Sequence, residues 1–158
     1  MAIVSTAVLD FEQLAFIEKW RQKASRGIVV ALDGTHGDIV VTMRVGEGPG
    51  HIDMRGQDAT GAVRKQRLTL GDRITMAIEY AAKDAKRSRG RIAVSDGLVA
   101  PGAKLDGIVA ATGEITIVEC GVAQVLVRGD TLGKLDVGDQ VSFVIADEGK
   151  AYYIPSRG

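Results

Sequence analysis

The residues best equipped for chemistry are His36 and His51, with Asp33, Asp38 and Asp53 around them. Imidazoles and carboxylates are metal ligands and proton carriers, so this is the cluster from which a metal centre or acid–base pair would be built. On a strand His51 and Asp53 share one face. His36 sits instead in a glycine-flanked turn, where aspartates ordinarily accept hydrogen bonds from nearby backbone. No nucleophile stands beside an evident base. We therefore expect no catalytic residues, no metal and no other cofactor.

Three further motifs read as structure. Cys120, the single cysteine, lies in ITIVECGVAQVLV, where a small buried hydrophobe is expected and no intrachain disulfide is possible. GEGPGHIDMRG carries Gly46, Gly48 and Gly50, but its spacing matches neither a dinucleotide fingerprint nor a P-loop. Gly71-Asp72 and Gly138-Asp139 repeat the same pair before a strand, glycine supplying a positive-φ turn and aspartate accepting backbone N–H groups. Arg128-Gly129-Asp130 reads as a Gly-Asp turn at a strand end.

The densest charge is basic: KDAKRSRGR, with Lys83, Lys86, Arg87, Arg89 and Arg91, reinforced by Arg64, Lys65 and Arg67. Such a run can hold a phosphate backbone, and small barrels with a basic rim bind single strands. Nearby strand faces offer only Tyr80 for base stacking, so a solvated loop or a docking patch for an acidic protein surface is favoured, with nucleic acid the alternative. Across the whole chain Lys+Arg and Asp+Glu both count 20, leaving no global field to recruit nucleic acid or membrane.

The elements that position these groups are strands. Twenty glycines and 4% aromatics over 158 residues indicate many tight turns around thin Val/Ile/Ala layers. From Gly27 the chain reads as GIVVALDG, DIVVTMRVG, HIDMRG, GRIAVSDG, LDGIVAATG, EITIVECG, AQVLVRGD, DQVSFVIADEG and KAYYIP, the spacing of small barrels or sandwiches. Asp147-Glu148-Gly149 suggests a closing C-terminal hairpin. Residues 71–87 mix helix formers with strand alternation; we expect a strand to about Tyr80, then a basic loop. Ahead of these, an apolar arm at 1–9 precedes a helix over Phe11–Ser25, capped by Asp10 with Gln13, ended by Gly27 and presenting Phe11, Leu14, Ile17 and Trp20.

Self-similarity organises the rest. RLTLGDRITMAI (67–78) aligns without gaps with KLDVGDQVSFVI (134–145). At that offset Val45-Gly46-Glu47 meets Thr112-Gly113-Glu114, and GIVVALDG resembles GRIAVSDG with a short gap. The expected fold is mainly β, a tandem duplication of small barrel or sandwich modules: 1–26 arm and helix, 27–88 first module, 89–158 second. No signal peptide is evident and no apolar run approaches the roughly 20 residues of a membrane span, so a soluble chain made in the cytoplasm is expected.

The second module resembles the small β-barrel capsid decoration (cement) proteins of tailed bacteriophages. The similar phrases are Pro101-Gly102, Gly107-Ile108-Val109-Ala110-Ala111, Gly113-Glu114, Gly121-Val122-Ala123, Gly138-Asp139 and Gly149-Lys150-Ala151. The resemblance implies a non-enzymatic virion protein, a dimer or trimer that binds the major capsid protein outside an assembled shell and stiffens it. The docking groups would then be Phe11 and Trp20 of the arm-and-helix region and Lys83, Lys86, Arg87, Arg89 and Arg91 of the basic run.

Overall fold

A computed structural model describes residues 24–34, 39–46 and 48–154, with Ala15 and Glu18, both helical. The arm, nearly all of the expected helix and His36 lie outside the described residues. At its far end the helix is corrected: Ser25 and Gly27 already belong to a strand, because Ser25–Ile28 pair with Met76–Arg73.

Twelve strands follow: β1 (Ser25–Asp33), β2 (Val40–Val45), β3 (Ile52–Asp58), β4 (Arg73–Tyr80), β5 (Ala82–Arg87), β6 (Ala93–Val94), β7 (Leu98–Val99), β8 (Lys104–Ala111), β9 (Ile115–Cys120), β10 (Ala123–Arg128), β11 (Gln140–Ile145) and β12 (Gly149–Tyr153). The fold is mainly β and built of small barrels, as expected. One short helix, α1 (Ala62–Lys65), follows β3; Asp58 accepts the Ala62 and Val63 N–H groups at 3.2 and 3.0 Å and so satisfies its first turn.

The barrels are not the two halves of the chain. β1, β2, β3, β12 and β4 close a ring, β3–β12 parallel and the other pairs antiparallel. β8, β9, β10 and β11 form the matching four strands of a second ring, completed by β5 on β11 and by Glu79 and Tyr80, at the end of β4, on β10. Each ring thus takes its last strand from the opposite half of the chain. Two expectations fall to this exchange. The basic stretch 82–87 is a strand rather than a loop, because it fills the open side of β11. The C-terminal hairpin does not form, because after Ile145 the chain crosses to β4 and β3 instead of folding back on β11.

The halves agree closely in register. Ile28 pairs with Arg44 and Arg73, and Ile108 with Glu119 and Gln140. The same bulge separates Val29 from Ala31 and Val109 from Ala111. The true counterpart of Gly27-Ile28-Val29-Val30-Ala31 is therefore Gly107-Ile108-Val109-Ala110-Ala111. GRIAVSDG contributes only the two-residue β6 and a 3-10 turn at Ser95–Gly97. Val45-Gly46 likewise corresponds to Cys120-Gly121, where β2 and β9 end, and not to Thr112-Gly113.

A close backbone approach explains why GIV recurs in both strands. A Cβ on Gly27 would overlap the carbonyl oxygen of Arg44, and one on Gly107 would lie 2.6 Å from the carbonyl oxygen of Glu119. Inward residues such as Val29, Met43, Met54, Met76, Val109, Val125, Phe143 and Ile145 fill the barrels. A smaller cluster of Ala77, Ile115, Ile117, Leu126 and Ile154 draws on β4 and the segment after β12 on one side, β9 and β10 on the other, and packs the barrels together. Among the described residues no helix is long and apolar enough to cross a membrane.

Candidate docking surfaces

The Gly-Asp turns are where the duplication is most exact in detail. Gly71 and Gly138 have φ of 92° and 95°. The Asp72 carboxylate accepts the Thr69 N–H at 2.9 Å, and the Asp139 carboxylate accepts the Asp136 N–H at 2.9 Å. Gly71 donates to the Val29 carbonyl and Gly138 to the Val109 carbonyl, both at 2.8 Å. The aspartates are thus committed to holding turns. What the turns display is apolar: Leu70 and Val137, at equivalent positions, are each 64% exposed.

Of the candidate acid–base residues, His36 and Asp38 lie outside the described residues, and of those that are described, His51 and Asp53 are engaged elsewhere. Asp53 receives the Arg44 guanidinium at 2.9 and 3.2 Å. His51 precedes β3, with Nδ1 2.8 Å from the Gly48 carbonyl oxygen. Among the described residues no three His, Cys, Asp or Glu side chains group as metal ligands. Cys120 is buried, and burial, with the Asp106 charge second, pushes its thiol up to about 12. At neutral pH it is a neutral packing group with negligible thiolate.

The basic run falls in two places. Lys83, Lys86 and Arg87 are exposed on β5, which ends the sheet order; charge on such an edge also discourages strand addition. Arg87 lies 3.5 Å from Asp139. Arg89 and Arg91 are exposed just beyond. There the chain crosses β8 at Asp106, from Ser88, whose hydroxyl donates to Asp106, to Ala93, paired opposite it. Gln140 ties this crossing down, donating to Asp106 and to the Gly90 carbonyl at 2.7 Å each. No exposed aromatic side chain accompanies these cations among the described residues: Tyr80 is buried, and the large exposed hydrophobics are Ile28, Leu70, Ile108, Val122 and Val137. Phe11 and Trp20 lie outside the described residues.

Sequence reasoning missed those aliphatic residues. The available signal was their repetition, Leu70 with Val137 inside the aligned segment and Ile28 with Ile108 inside the unrecognised GIV match.

No protein-family model matches the chain, and no curated protein does. Among solved structures the chain is similar to the cytoplasmic molybdate-binding protein ModG, crystallised with molybdate bound, at 17% identity and a TM-score of 0.44, over 84% of this chain and 95% of that one. At that overlap the likeness says nothing of ligand or role.

Proposed function

We propose that the chain is a non-enzymatic structural protein that binds the outside of an assembled capsid through its major capsid protein and stabilises the shell. The observation that supports this best is the duplicate display of Leu70 and Val137, equally exposed on equivalent turns of two barrels locked together by exchanged strands. A rigid body carrying the same apolar contact twice suits a surface that offers the same site repeatedly, where the second contact forms at high effective concentration. The resemblance of the second half to decoration proteins points to the same class of partner.

The test is co-sedimentation of the purified protein with preformed phage shells, followed by thermal melting of the loaded particles. Bound protein and a raised shell melting temperature are expected, and the double variant L70D/V137D should lose both. Failure of the wild type to sediment with shells overturns the reading. Binding instead to a single-stranded oligonucleotide, with affinity falling steeply as salt rises, would favour a nucleic-acid role for Lys83–Arg91.

A further inference from the structure

Ile28 and Ile108 hold the same position in the two barrels, and both face outward, 38% and 41% exposed. The barrel interior does not require an outward isoleucine, yet it is kept where its ladder partners Arg44 and Arg73 have become Glu119 and Gln140. Beside Ile108 the charges are mixed. Exposed Glu119 stands on one side, and on the other Asp106 and Gln140 lie under the crossing that displays Arg89 and Arg91.

Around Ile28 the unanswered charge has one sign. Residues directly opposite across a ladder share a face, which sets Arg44 of β2 and Arg73 of β4 on either side of Ile28. Arg26 lies two residues before it on the same face, and all three arginines are exposed. Asp53 answers Arg44, and the Asp72 carboxylate, next to Arg73, is committed to the Thr69 N–H. Among the described residues Arg26 and Arg73 have no ion-pair partner. The first Gly-Asp turn adjoins this stretch of β1, because Val29 donates to the Asp72 carbonyl at 2.9 Å and accepts from the Gly71 N–H at 2.8 Å. That turn carries the exposed Leu70.

We propose that this surface, Ile28 and Leu70 flanked by Arg26 and Arg73, docks an acidic segment of another protein that carries aliphatic side chains among its carboxylates. Charge complementarity sets the sign: two unanswered guanidinium groups take carboxylates, whose planar geometry an arginine fork matches. The aliphatic centre sets the class. With no exposed aromatic side chain among the described residues, this face offers a nucleic acid nothing on which its bases can stack. The proposal names the chemistry that the Leu70 contact recognises and so rests on Leu70 being a docking group, but not on the partner being a capsid protein.

The probe is a short fluorescein-labelled peptide with Leu interspersed among Glu, titrated into the free protein by fluorescence anisotropy. Its failure is thereby distinguishable from failure to bind shells. Saturable binding is expected, with affinity falling at least about tenfold from low to high salt. R26E/R73E should weaken binding at least about tenfold, whereas K83E/K86E, on β5 of the other barrel, should leave it within about twofold. I28S/L70S should weaken it at least about fivefold. Circular dichroism checks that each variant is folded, and R26Q/R73Q replaces the charge reversal if that fails to fold. Absence of peptide binding overturns the proposal, as does binding that the arginine variant leaves intact or that K83E/K86E weakens as much. Equal affinity for a leucine-free Glu peptide, tighter binding of oligothymidylate, or wild-type self-association abolished by R26E/R73E also overturns it.

Discussion

The Tyr80 hydroxyl donates to the Arg55 carbonyl at 2.8 Å, tying the residue where the chain leaves barrel one to a strand of that barrel. Tyr80 is fully buried, and Gly149 of the returning strand lies against its ring. Arg55 also holds Glu148, just before Gly149, at 3.0 Å. The outbound and inbound crossings therefore meet at one packed point. Tyr80→Phe removes this hydrogen bond, a loss of about 0.5–1.5 kcal/mol in denaturant unfolding. Gly149→Ala places a methyl 2.6 Å from the ring edge and should cost at least as much.

Because β5 and β12 are exchanged, cutting the backbone between Ser95 and Asp96, both exposed, should not release two proteins. Each fragment carries a strand that the other barrel requires. Size-exclusion chromatography of the nicked protein should show the intact mass until denaturant is added. The uncut protein should unfold in one transition seen alike by far-UV circular dichroism and tyrosine fluorescence.

Gly27→Ala and Gly107→Ala should damage stability similarly, by roughly 2 kcal/mol or more each, since the new methyl meets a backbone carbonyl that cannot move without breaking its ladder. Unequal losses in thermal melts, with one variant near wild type, would count against the equivalence of β1 and β8.

Asp72→Ala and Asp139→Ala each remove a carboxylate that accepts a turn N–H, at a cost of about 1 kcal/mol apiece. Asp139 also loses Arg87, an exposed contact that adds little. The two melting temperatures should therefore fall nearly together.

Cys120 should resist alkylation in the native state at pH 8 and react once the chain is unfolded. Its folded pKa, about 12, lies above the ordinary thiol value of 9.0. The unfolded chain thus ionises first, and the stability due to the neutral buried thiol is present below pH 9 and lost as pH rises towards 12. Cys120→Ser should flatten that alkaline decline.

Strand positions and turn chemistry were legible because they are local: alternation marks an inward face, and Gly-Asp marks a turn whatever lies around it. The exchange was not. Ala82–Arg87 carries four charged side chains in six residues and reads as a solvated loop; only the open side of β11, far along the chain, makes it a strand. The duplication was visible where Gly71 and Gly138 impose the same turn, and misaligned upstream, where loops of different length separate GIV from that turn. Leu70 and Val137 gave no warning of exposure, since an aliphatic residue beside a strand looks like core until the barrel closes without it.

The exchange also sets an order of events during synthesis. β1 to β4 emerge first, yet the strand that completes their ring, β12, is made after the other eleven described strands. While the ribosome is still translating β8 to β11, the first barrel stands open at the edges of β3 and β4, and it can shut only when residues 149–153 have cleared the exit tunnel.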